Sequence, residues 1–178
     1  MASEIIVNTI KAPTTGANAN KVIIPTGVTL DIADNLAYDS MPANTIIQQV
    51  EYFADATFNT SSTSFVATNA SVNITPRYAN SKMLIQVFGG CHVNTTQGMR
   101  GQIRKNGTTS FAHSNNEDLI NYANNSGQSA AGHPVAVATI DNNVGTTSQV
   151  TYAYYVHAES GAAYFYRNYG IVVQEIKV

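Results

Sequence analysis

Short runs rich in Val, Ile, Thr, Tyr and Phe recur along this chain, separated by clusters of Gly, Asn, Ser and Pro. Within the runs the apolar positions tend to alternate, which places them on one face of an extended strand. A 3.6-residue apolar period is nowhere sustained for more than about two turns. Leucine, a good helix former, stands only at Leu30, Leu36, Leu84 and Leu119. The pattern predicts an all-β protein.

From residue 44 onward the predicted strands are dense: 46–53, 64–67, 71–74, 82–93, 99–105, 108–111, 135–140, 149–158, 163–167 and 171–178. The segment 82–93 is apolar on nearly both faces, as in a strand between two layers or against a neighbouring subunit. Asn106-Gly107 supplies a tight hairpin turn. The polar stretch 113–132 reads as a long loop, in which Leu119, Ile120 and Tyr122 form either a helical turn or a short strand. A loop of that length is usually functional or covered by a partner. This spacing is that of an antiparallel two-sheet sandwich of jelly-roll type.

The first 43 residues differ. Their extended segments are short and broken by Pro13 and by Thr14-Thr15-Gly16-Ala17-Asn18. Such segments cannot build a core alone. The expectation is an N-terminal β arm over 1–43, laid on a neighbour through Ile5, Val7, Ile10, Val22 and Ile24, and a sandwich domain over 44–178. Pro42 disfavours helix at Met41 and marks the boundary.

Composition narrows the function. Only 11% of the 178 residues are charged, against about 25% in a typical domain. Asn (19), Thr (19), Ser (13) and Gln (8) together make up a third of the chain. A net charge of −2 gives no electrostatic footprint for nucleic acid. No apolar stretch is long enough for a membrane helix, and no signal peptide is visible, so neither membrane insertion nor secretion is expected. One cysteine, Cys91, excludes an intrachain disulfide and reads as a small core residue.

Catalytic patterns are missing. His92, His113, His133 and His157 lack metal-ligand spacing, and there is no G-x-S-x-G elbow or phosphate-cradling loop. Glu117-Asp118 is an adjacent acidic pair in the polar loop and reads as solvated. The six N-x-[ST] sequons follow from the richness in Asn, Ser and Thr. No enzyme activity, cofactor or metal is expected. Tyrosines cluster near the C-terminus, where Tyr152, Tyr154, Tyr164 and Tyr166 are candidate packing or trimer contacts. Tyr suits a core with cross-strand aromatic pairs, a subunit interface or a ligand platform.

Certain segments carry a resemblance. Thr63-Ser64-Phe65, Ile74-Thr75-Pro76, Ser81-Lys82-Met83-Leu84-Ile85-Gln86-Val87, Arg104-Lys105-Asn106-Gly107-Thr108 and the closing Val173-Gln174-Glu175-Ile176 follow one another in order. Together they resemble a recurring pattern in virion proteins of tailed bacteriophages, notably marine phages. Val7-Asn8-Thr9-Ile10 and the 23–30 segment are similar to what precedes such domains in fibre-like proteins. The resemblance implies a homotrimeric knob on the virion surface, made in the host cytoplasm and joined to other capsid or tail proteins by its N-terminal arm. With an arm of about 43 residues, it implies a short fibre or a head decoration knob.

Two functions follow. One is a structural virion appendage, whose mechanism is assembly. The other is host attachment, in which distal loops carrying Asn116, Tyr122 and Asn124 bind a cell-surface glycan.

Overall fold

The computed structural model describes residues 14–16, 41–93, 98–111, 120–122, 133–159, 161–165 and 168–178, without the side chains of 93, 120–122 and 133. The chain divides into two compact units, Met1–Ser40 and Met41–Val178. Of the first, only the exposed bend 14–16 is described. Of the arm residues, Ile5, Val7, Ile10, Val22 and Ile24 lie outside the described residues.

The second unit holds eleven described strands: β1 (Ile46–Phe53), β2 (Phe58–Thr60), β3 (Val66–Ile74), β4 (Lys82–Val93), β5 (Met99–Lys105), β6 (Thr109–Phe111), β7 (Ile120–Tyr122), β8 (His133–Asp141), β9 (Val150–Ala158), β10 (Ala163–Phe165) and β11 (Gly170–Ile176). All described pairings are antiparallel. In the first sheet β4 pairs β8 along one edge and is shared by β11 and β10 along the other, with β1 beyond β11 and β2 beyond β10. β10 and β11 are thus one interrupted strand, and so are β1 and β2. In the second sheet β9 lies between β3 and β5, and the far edge of β5 carries β6 and β7 in tandem.

Counting β1 with β2, β6 with β7 and β10 with β11 as one strand each leaves eight. In chain order, the first sheet runs first, eighth, third, sixth, and the second runs second, seventh, fourth, fifth. That is the double Greek-key order of a jelly roll. The second unit is, in its described residues, an all-β jelly-roll sandwich.

Alternation on facing strands builds the core. Met83, Ile85 and Val87 of β4, with Ile171 and Val173 of β11, meet Tyr152, Tyr154 and Val156 of β9, all at most 1% exposed. An aromatic file crosses the layer: Tyr154 packs edge-on to Phe165 at 5.5 Å, and Phe165 lies 5.4 Å from Tyr169. Two glycines make room for it. A Cβ on Gly101 would lie 2.0 Å from the Tyr154 hydroxyl, and one on Gly89 would lie 2.7 Å from the Tyr169 Cα.

The expected 64–67 and 71–74 segments are one strand, β3, whose register jumps between Ala67 and Ser71. Thr68 bends it by accepting the Ala70 N–H on its hydroxyl at 3.1 Å. β2 was not expected, since Phe-Asn-Thr carries too short a pattern to register. The expected 163–167 segment is described as β10 over Ala163–Phe165, residues 166 and 167 lying outside the described residues, and Asn168 turns the chain at φ 67 before β11. Ile120–Tyr122 takes the strand alternative. At the hairpin, Asn106 (φ 51) and Gly107 (φ 73) form the turn that their sequence favours.

Candidate functional site

Three places in the second unit concentrate polar or exposed apolar groups: the outer face of the first sheet, a buried ionic cluster at one end of the sandwich, and the outer face of the second sheet.

The outer face of the first sheet is formed by the side chains that alternate with the core set. Among the described residues, three of the four large exposed hydrophobic side chains lie on it: Ile46 at 50%, Phe53 at 54% and Ile140 at 47% exposure. The register aligns Phe53, Gly170, Phe88 and Ala136 in one cross-strand row, with the Phe53 and Phe88 rings 5.3 Å apart. Glu51, Val172, Gln86 and Ala138 form the next row, and Leu84 faces Ile140 in the row after it. Ala136 and Ala138 leave a shallow cavity of about 260 Å³ beside Gln86 and Phe88. Further along β4, His92 lies 5.5 Å from the ring of its cross-strand partner Tyr164. Glu51 and Lys82 are the formally charged residues on this face among those described.

The ionic cluster is structural in geometry. Asp141 Oδ2 accepts from Lys105 Nζ and from the Tyr152 hydroxyl, each at 2.7 Å, and Lys105 also donates to the Val144 carbonyl at 2.7 Å. Burial, with the Asp141 carboxylate next, pushes the Tyr152 phenol well above its ordinary range. Glu175, 0% exposed, is a second buried carboxylate. It accepts the backbone N–H groups of Arg77 (2.9 Å) and Tyr78 (3.2 Å) and the Gln48 side-chain amide. That ties the 75–80 loop to the last strand.

On the outer face of the second sheet, Arg100 donates to Glu159 at 2.6 Å. This bond, helped by the Gly98 N–H, holds the Glu159 carboxyl below the usual range. The Arg104 guanidinium carbon lies over the rings of Phe65 and Tyr155, at 5.2 and 4.6 Å from their centroids. Phe65 also meets His157 edge-on at 4.5 Å.

The expected site residues are scattered. Tyr152 and Tyr154 are both 0% exposed in the core between the sheets, which leaves them no surface to offer a neighbour. Tyr164 is half-buried on the outer face of the first sheet. Tyr166, Asn116 and Asn124 lie outside the described residues. Tyr122 falls on β7, its backbone paired with Met99. Cys91 is fully buried, and desolvation pushes its thiol up to about 11, which leaves it protonated at neutral pH. Among the described residues no three His, Cys, Asp or Glu side chains are grouped to hold a metal ion. No helix among them is long and apolar enough to cross a membrane.

The Glu175 anchor was legible as a lone carboxylate at an inward position between Val173 and Lys177. The Arg104 stack left no trace, because it needs the register of three strands.

No family model and no curated protein matches this chain. Solved structures similar to it include three from infectious bursal disease virus. A structure of the Gt strain is 11% identical over 85% of this chain and 39% of the other, with a TM-score of 0.42. A mutant VP2 protein from T=1 particles is 9% identical over 86% of this chain and 44% of the other, at 0.41. A structure of the Gx strain is 11% identical over 75% of this chain and 37% of the other, at 0.35. The chain therefore spans less than half the length of these matches. The jelly-roll assignment rests on strand order and takes nothing from these scores.

Proposed function

We infer that this chain is a non-enzymatic structural protein of a tailed-phage virion, forming a homotrimeric surface appendage. Residues 1–43 attach it to a capsid or tail protein, and residues 44–178 form the knob. The observation that carries assembly is the set of exposed apolar side chains on the outer face of the first sheet. Four strands about 4.8 Å apart and about eight residues long at ~3.3 Å each give the whole face roughly 500 Å², on which Phe53, Leu84, Phe88 and Ile140 stand among Gln49, Glu51, Gln86 and Gln174. Ile46, Phe53 and Ile140 are exposed on it, and large apolar side chains exposed on one face and rimmed by polar groups mark an interaction surface.

A second copy of the same chain suits the face. Glu51 and Lys82 cancel, so nothing on it repels its own kind. Tyr164 adds the amphipathic ring common at interfaces. The virion setting is supported by the ordered motifs that resemble phage appendage proteins. The jelly roll fits that setting, although the fold alone hosts many functions. No observation among the described residues favours distal-loop glycan binding over assembly.

A density map of the intact particle tests the reading. A threefold knob with residues 1–43 on capsid or tail protein supports it, and contact with the capsid or the tail assigns the location. Purified particles that lack the chain would overturn it.

A further inference from the structure

We propose that the outer face of the second sheet carries a saccharide site in which Arg104 holds the carboxylate of a hexuronate. Arg104 is fixed in three ways. Its guanidinium carbon lies over the Phe65 and Tyr155 rings at 5.2 and 4.6 Å, and Nε donates to Gln102 Oε1 at 2.5 Å. Gln102 is itself 2% exposed and therefore a rigid anchor. These contacts set the guanidinium carbon over both rings and engage Nε, and they leave the two terminal nitrogens. Among the described residues those nitrogens have no ion pair and no hydrogen-bond acceptor. Its neighbours differ: Arg100 has Glu159 at 2.6 Å, and Lys105 has Asp141 at 2.7 Å. Arg104 is the cation of β5 without a carboxylate.

A carboxylate fits two parallel N–H groups in one plane. A fork already held in place loses little freedom on binding. The surroundings favour a sugar. Register places Arg104 opposite Ala153, and Ala153 opposite Ser71, with Thr151 and Asn73 paired on the same face. Ala153 is a small floor residue, and the Thr151 hydroxyl donates to the Asn73 side-chain oxygen at 2.6 Å. Hydroxyl and amide groups beside the fork match the ring hydroxyls of a hexuronate. An acidic peptide would meet the fork but leave them unused.

Calorimetric titration of the full chain with an oligogalacturonate, its methyl ester and an oligoglutamate of equal length tests this. The oligogalacturonate is expected to bind saturably, with the ester and the oligoglutamate each at least ~10-fold weaker. Loss of one charge-assisted pair should weaken Arg104→Gln by ~10- to 100-fold. Arg104→Lys, which keeps the charge without the fork, should also lose affinity. No saturable binding of oligogalacturonate, or equal binding of its ester, overturns the proposal without any variant. Equal binding of oligoglutamate makes the ligand an acidic peptide, and unchanged binding by a folded Arg104→Gln removes Arg104 from the site.

Discussion

Replacing Gly101 by alanine tests the core packing at its tightest point. The added Cβ would lie 2.0 Å from the Tyr154 hydroxyl oxygen, 2.5 Å from Cζ and 2.9 Å from Cε2. Ordinary contact needs more than 3.4 Å, so the ring must retreat by about 1.5 Å or the strands must part. Tyr154 has no free path, because it packs edge-on against Phe165, which packs against Tyr169. Overpacking of this kind costs about 1–3 kcal/mol. For a chain of this size, each kcal/mol lowers Tm by roughly 2–4 °C. Urea unfolding should show a lower midpoint with an unchanged slope. In a Tyr154→Leu background the ring is gone, so the same alanine should cost almost nothing, a coupling of about 1–3 kcal/mol. Gly145→Ala, where the nearest atom is 4.0 Å away but φ is 76, separates backbone strain from collision. Additive effects of Gly101→Ala and Tyr154→Leu would refute the packing geometry.

Three further outcomes follow from the buried polar groups. Asp141→Asn strands the Lys105 ammonium in the sandwich end and should cost about 3–5 kcal/mol by denaturant unfolding. Glu175→Gln keeps the shape but weakens the grip on the Arg77 and Tyr78 amides. It should cost about 1–3 kcal/mol and raise hydrogen exchange at those two amides first. The Cys91 thiol is raised from 9.0 to about 11. The unfolded chain therefore releases its proton at lower pH than the folded chain, and stability should fall as pH rises from 9 to 11. That loss is about 2–3 kcal/mol, and a Cys91→Ala variant should lack it.

The strand pattern was legible because alternation and turn residues are local. The run 82–93 is one strand, and its apolar character on both faces is now accounted for. Met83, Ile85 and Val87 fill the core, while Leu84 and Phe88 lie on the outer face. What could not be read was anything set by register. Tyr152 and Tyr154 share a face in any strand, but only the packing of the second sheet against the first turns that face inward. Gly101 looked like an ordinary strand glycine, since the ring it accommodates comes from 53 residues away. Phe53, Phe88 and Ile140 come from three strands, and nothing local shows that they share one exposed face.

Native mass spectrometry of the full chain, together with Phe53→Lys and Ile140→Lys variants, tests assembly through the first sheet most directly. The expected result is a mass about three times 19.0 kDa for the parent chain. Both variants should be monomers with an unchanged far-ultraviolet circular dichroism spectrum. A monomeric parent chain, or trimers that survive both substitutions, would contradict it.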